Sequence, residues 1–413
     1  MHKTKSLKLL SRIYFGIQRM LLPALDEEIG PLSAKEKCFV EVCELARLES
    51  FLKTHVWCGN GRKPASRLAM AHAFVAKALW NLPTTRALID RLQRDTNLRR
   101  LCGWHNGPSQ VPDEATFSRA FAEFAKMKLG VEVHGELITT HLGDEIILHS
   151  STDATAIEAR EKAHRSTPRP AEPPVMLADV LLAQVVGISP AMEPKQQTKP
   201  IAIEPKATVA EKTKRKRGRP RKGEEPPEPD ETRLERHLNG SYATNLLDMP
   251  EVHCTHGCKK NAKGHTDHWI GYKLHASTSD GGIPLALYLS SASLHDSQAA
   301  ILLQQAVDER TKAVFYDLKD AAYDAAAIKA HSRALGSVPV IDANKRRNGE
   351  APPPMEPDRA EHYKARSDSE RFNSDLKDNH GGRTVRVRGP AKVMTHLMFG
   401  VLVMTAEALI RQL

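Results

Sequence analysis

Residues 165 to about 240 set the first limit on what this 413-residue chain can fold into. Proline, lysine and glutamate dominate both flanks of that stretch. A segment of this composition buries too little apolar surface to offset the entropy of ordering it. A largely disordered, basic and proline-rich insertion is expected there, with only residues 176–188 apolar enough for a short element. The folded mass then comes from the two parts on either side, and these read differently.

The part before the break is helical. Ser33 with Glu36 forms a capping-box pattern ahead of an apolar-periodic run to about Leu52. Further helices are expected over 66–79, from Pro83 to about Leu101, and over 115–127. In the last, Phe117, Phe121 and Phe124 recur on one face and Arg119 points away. This all-α region, residues 1–145, reads either as a helix-turn-helix DNA reader or as an ordinary helical bundle. Residues 146–148 are an apolar run ending in Asp153, which suits a buried strand with a carboxylate at its end.

After the break the alternation is β. Residues 268–278 and 283–292 form a hairpin pattern around Gly281-Gly282. A helix over 297–308, a strand over 313–318, a helix over 325–335 and a strand over 338–341 follow. Asp320 sits just past the second of these strands. Residues 383–388 read as a basic strand, and 391–413 as an apolar final helix. Residues 397–410 are too short to span a bilayer and contain Glu407. The basic N-terminal stretch has no small-residue cleavage site, so a signal peptide is not expected. Six cysteines in a chain this long fit a reducing compartment.

The net charge of +10 and a pI near 9.2 suit a polyanionic partner. Residues 212–222 hold eight basic side chains in eleven positions. At their centre, Arg217-Gly218-Arg219-Pro220, followed by Arg221, resembles the AT-hook, which lies in the narrow minor groove of A·T-rich DNA. Cys254, Cys258, His265 and His268 do not have the spacing of a common zinc set. A glycine-rich loop with two partly buried thiols is expected instead.

The chemistry concentrates at residues 363–377, YKARSDSERFNSDLK. On an α-helix Tyr363, Arg366, Glu370 and Lys377 fall within roughly 60° of one another. A carboxylate beside two cations suits a metal ion bridged to phosphate. The element order gives an α/β fold, a ribonuclease-H-like core whose mixed sheet is flanked by helices. Such a sheet gathers Asp153, Asp320 and Glu370 at one end. Three carboxylates suit two divalent ions in phosphodiester cleavage and transfer.

On these residues the chain resembles the DDE transposases of bacterial insertion sequences that carry a Y-R-E-K signature. Tyr363, Arg366, Glu370 and Lys377 match that signature. STDATAIEARE resembles the segment of the first catalytic aspartate and DLKDAAYDA that of the second. Asp317 and Asp324 compete with Asp320, and the D-x-A-Y-D pattern selects Asp320. WIGYKLH, SASLHDSQAA and RVRGPAKVMTHLMFG resemble further blocks of the group. The resemblance implies a catalytic domain over 146–413, interrupted by the insertion, after a DNA-binding accessory region. It implies DNA transposition: cleavage at terminal inverted repeats, then strand transfer into target DNA. Asp153, Asp320 and Glu370 would hold two Mg2+ ions, with Mn2+ as a substitute. Tyr363, Arg366 and Lys377 would contact DNA near the cut. A homodimer on paired ends, in the bacterial cytoplasm at the nucleoid and without a membrane partner, is also implied. The alternative is a catalytically silent, domesticated DNA-binding protein.

Overall fold

The computed structural model describes residues 31–52, 64–164, 231–260, 264–345 and 353–412. The N-terminal stretch, the apolar piece at 176–188 and the AT-hook-like Arg217, Arg219 and Arg221 lie outside the described residues.

Among the described residues six helices precede the sheet: α1 (Ala34–Ala46), α2 (Arg67–Leu79), α3 (Thr85–Arg94), α4 (Thr96–Leu101), α5 (Glu114–Lys126) and α6 (Leu129–Leu142). Side-chain oxygens of Ser33, Ser66, Thr84, Asp95 and Asp113 accept first-turn amides, which fixes where five of them begin. The expected Ser33–Glu36 capping box is formed. Phe117, Phe121 and Phe124 of α5 face inward, against Phe74 of α2 and Phe399 of the long C-terminal helix.

That C-terminal helix closes the list of the other elements. They are β1 (Ile146–Glu158), α7 (Arg233–Asn239), α8 (Tyr242–Asp248), β2 (Thr255–Lys260), β3 (Thr266–Ser279), β4 (Pro284–Ser291), α9 (Ala300–Asp308), β5 (Ala313–Lys319), α10 (Ala326–Ala334), β6 (Val338–Ile341), α11 (Pro357–Tyr363), α12 (Ser367–Asn379) and α13 (Pro390–Gln412). Helix α6 ends at Leu142 and β1 begins at Ile146, and the helical and sheet parts share α13. Phe399, Leu402, Val403, Ala406 and Leu409 pack among the N-terminal helices. Val393, Leu397, Val401 and Met404 pack under the sheet and α12. A helix used on both sides is apolar all round. At 23 residues α13 is long and apolar enough to cross a membrane, contrary to the shorter run expected, but 78% of its apolar window is buried inside the protein. Gly130 lets α6 lie close on it, since a Cβ there would stand 2.6 Å from Met398 Cβ.

The six-stranded sheet has the order β2-β3-β1-β5-β6, and β4 also pairs with β3. β1, β5 and β6 are parallel, whereas β2, β3 and β4 pair antiparallel, as does β3 with β1. At Gly271 β3 is paired on both edges, with Thr255 of β2 and Glu158 of β1, and a Cβ there would meet Ile157 O at 2.0 Å. Helices α12 and α13 pack on one face, α9 and α10 on the other. A mixed sheet in this order, covered by helices on both faces, is a ribonuclease-H-like fold.

Several local expectations are corrected. The insertion expected to reach about 240 gives way to structure at 231, where a Thr232–Glu235 capping box opens α7. β1 does not end at Asp153 but runs on to Glu158, because paired hydroxyls satisfy its polar side chains: Ser150 with Ser277 at 2.7 Å, Ser151 with Ser369 at 3.0 Å. The segment expected as a glycine-rich loop is strand β2, with Cys254 just before it buried and Cys258 on it exposed. Residues 383–388 form no strand. They run between α12 and α13 with Val385 buried.

Candidate active site

Register brings the two aspartates together. Thr152 of β1 stands beside Lys319 of β5 in a parallel pair, so the next residues, Asp153 within β1 and Asp320 just past the end of β5, stand side by side. Asp320 caps a short 3-10 turn, its Oδ1 accepting from Ala322 N at 2.9 Å. Its competitors are engaged elsewhere. Asp317 is buried on the opposite face with Gln304, Ser332 and the fully buried Lys319. Asp324 pairs with Lys329 and accepts from Asn344 N.

Glu370 arrives on α12, which packs across β1 and β3. The single helix expected over 363–377 is broken: α11 ends at Tyr363, a 3-10 turn spans Lys364–Arg366, and α12 starts at Ser367. A 3-10 turn has three residues per turn, so Tyr363 and Arg366 eclipse one another. Arg366 then sits between all three carboxylates. Its guanidinium is 2.6 Å from Glu370 Oε1, and 3.8 Å from both Asp153 Oδ1 and Asp320 Oδ2.

Burial raises the Asp153 carboxyl, and Asp320 adds to the rise, while Lys259 and Arg366 oppose it. Burial likewise raises Tyr363, which also senses Arg366, Asp342, Asp320 and Glu370. Burial lowers Lys377, helped by its cationic neighbours Arg383 and Lys259. Tyr363, Arg366 and Glu370 thus share one region with Asp153 and Asp320, whereas Lys377 lies among Arg383, Lys259, Glu158 and Asp378. Arg217, Arg219 and Arg221 lie outside the described residues.

Sequence reasoning missed four contributors. Asn373 donates to Asp153 Oδ2 at 3.1 Å; it lies three residues past Glu370, the one spacing that pointed to it. Lys259 comes from β2, the strand that was not foreseen. Burial raises the Tyr323 hydroxyl, which also senses Asp296 and, after it, Asp153 and Asp320. A polar relay holds the end of α11 to β1: Asp280 Oδ1 to His149 Nδ1 at 2.6 Å, then His149 Nε2 to His362 Nδ1 at 2.9 Å. The Tyr316 ring stacks on His362 at 3.7 Å. Residues 149, 280, 316 and 362 are too far apart in the chain to signal one another.

Among the described residues no three carboxylate, histidine or cysteine side chains converge tightly enough to hold a metal ion. Arg366 stands where their charges are compensated. The donor set nevertheless fits a hard divalent cation, since every nearby donor is oxygen. Asn373 Oδ1 and Tyr323 Oη are buried beside it without a hydrogen-bond partner.

Comparison with known families agrees with this geometry. The family model "Transposase DDE domain" matches residues 197–405, and "Transposase domain (DUF772)" matches residues 32–123. The first match begins beyond β1, so the place of Asp153 rests on register and contacts alone. No curated protein and no solved structure matches the chain. DDE-domain proteins are transposases, enzymes that act on DNA and use divalent metals. With just over half of its residues inside that match, the chain belongs to the transposase DDE-domain family.

Proposed function

We propose that this transposase cuts DNA at the terminal inverted repeats of its own element and joins the freed 3′-hydroxyl to target DNA. The observation that carries the reading is the convergence of Asp153, Asp320 and Glu370 on one guanidinium. Asp153, Asp320 and Glu370 would hold two Mg2+ ions, or Mn2+ in their place, which supply charge stabilisation for the attacking and leaving oxygens. Arg366 keeps the three carboxylates from repelling one another and is a ready donor to phosphate oxygens. Asn373 orients Asp153. Lys377 and Lys259 give the site's flank a positive field toward DNA. Tyr363 and Arg366 contact the strand near the cut. Arg217, Arg219 and Arg221 add minor-groove contacts to A·T-rich DNA. The helical region over 1–145 and the catalytic region over 146–413 work as one protomer of a homodimer on paired ends at the nucleoid, away from membranes.

The test is strand cleavage on a plasmid carrying the gene with its native flanks. Wild-type protein with Mg2+ should cut at discrete flanking positions. Glu370→Gln, or EDTA, should abolish cutting while DNA binding persists. Glu370→Gln protein that still cuts would remove Glu370 from the chemistry. Folded wild-type protein that binds DNA but never cuts would favour the silent DNA-binding reading.

A further inference from the structure

Away from the carboxylates, a cavity of ≈ 310 Å³ opens between the N-terminal helices and the segment that joins α12 to α13. Its floor is aromatic, with Phe74, Phe117 and Phe121. Its walls are cationic, with Lys77 from α2, Arg386 and Arg388 from the joining segment, and Lys392 from α13. Lys77 is only 9% exposed. Burial pushes its ammonium down to about 8, and no carboxylate offsets that effect. His396 is buried beside it and held low, first by burial and then by the Lys77 charge. The N-terminus of α3, Thr84 and Thr85, lines the same cavity. It adds amide donors and the positive end of a helix dipole. The one acidic neighbour, Glu114, is paired with Arg86 at 3.1 Å.

Burying an ammonium without a counter-charge is unfavourable, and gathering further cations around it is more so. An anion in the cavity would offset that cost. The opening faces solvent beside Arg386 and Arg388, both exposed. Strands and loops elsewhere do not explain these arginines: the 383–388 segment makes no ladder, and Arg388 uses only its Nε, on Arg160 O at 3.2 Å.

We infer that this cavity is a second nucleic-acid site, in which Lys77, Arg386, Arg388 and Lys392 grip a backbone phosphate of the bound DNA duplex. The inference rests on the transposase reading only for DNA as the carrier of the anion. It ties the helical region to the catalytic region through the same ligand, since Lys77 and Arg386 come from opposite sides of the cavity. The grip is to phosphate, so it is indifferent to sequence.

The test uses the full-length protein in EDTA and measures duplex binding by fluorescence anisotropy over a salt series. One duplex carries the native flank of the gene, and the other is unrelated DNA of equal length. Lys77→Met should weaken binding to both duplexes about tenfold and lower the slope of log K against log salt by about one. The double variant Arg386→Ala, Arg388→Ala should do the same or more. Lys77→Met should melt no lower than wild type, because it removes an uncompensated buried charge. If it does not fold, the double variant decides alone. Folded variants with wild-type affinity and slope overturn the inference, as does a loss confined to the flank duplex. The plasmid cleavage assay reports separately on the transposase reading, so the two failures are distinguishable.

Discussion

Arg366→Met should destabilise the metal-free protein by an amount the geometry allows us to estimate. The variant keeps the length of the side chain and deletes the charge between three carboxylates. Glu370 is 57% exposed, so its 2.6 Å ion pair is worth only about 0.5 kcal/mol. Asp320, 30% exposed and 3.8 Å away, contributes about as much again. Asp153 decides the total. Its side chain is 11% exposed, and stripping one partner from a buried pair costs about 3–5 kcal/mol. The 3.8 Å separation and the surviving Asn373 bond bring this to about 2 kcal/mol. The sum is about 3 kcal/mol, or roughly 4–5 °C in Tm for a unit of this size. Melts by circular dichroism in EDTA should show that loss. In excess Mg2+ the gap should narrow, because carboxylates that bind a cation no longer depend on the guanidinium. A variant as stable as wild type in EDTA would refute the keystone role of Arg366. A gap of equal size with and without Mg2+ would refute the link between Arg366 and the carboxylates proposed to hold the metal.

Three further outcomes test the frame around the site. Gly271→Ala should cost at least about 3 kcal/mol, since its Cβ would meet Ile157 O at 2.0 Å and Ala159 N at 2.9 Å; a urea midpoint equal to wild type would refute the β1–β3 register. Lys319→Met should cost about 3 kcal/mol by leaving Asp317 buried without its cation, and adding Asp317→Asn should recover most of it; an additive double-mutant cycle would show the pair is not coupled. His134, His275 and His396 are held neutral by burial, His275 and His396 at about 4 and His134 at about 3. The unfolded chain binds protons that the folded chain refuses, so stability should fall as pH drops from about 6.5 to 4, by up to about 1.4 kcal/mol per pH unit for each. A pH profile flat over that window in urea titrations, or one that His→Gln substitutions leave unchanged, would refute this.

How far the sequence can be read depends on whether a residue's partner is local. The β3–β4 hairpin was legible because alternation and the Gly281-Gly282 turn lie within one short stretch. The end of β1 was not. Ser150, Ser151, Thr152 and Asp153 read as the polar end of a strand, and only Ser277, Ser369 and Asn373, more than a hundred residues away, make them fit for its middle. β2 escaped because Thr-His-Gly-Cys-Lys-Lys has no apolar alternation and exists through its ladder with β3. The opposite error occurred at 383–388. Val385 and Val387 alternate as in a strand, yet the segment makes no ladder and instead buries Val385 in the sheet-side core, with Val387 against both cores.

The same distinction governs the site itself. Asp317, Asp320 and Asp324 cluster around the end of β5, and composition cannot rank them. Period two places Asp317 and Lys319 on the same face, toward Gln304 and Ser332, where their charges cancel in a buried network. The strand then ends, and Asp320 escapes that alternation. One of its oxygens caps the next turn and the other is left toward Arg366. Asp324 is drawn off by Lys329. Of three similar carboxylates, the fold silences two with lysines of their own and leaves the third facing a cation it shares with Asp153 and Glu370. A shared cation can be exchanged for another without unfolding anything, whereas the Lys319–Asp317 pair cannot. That asymmetry leaves Asp320 open to the metal-holding role proposed for it.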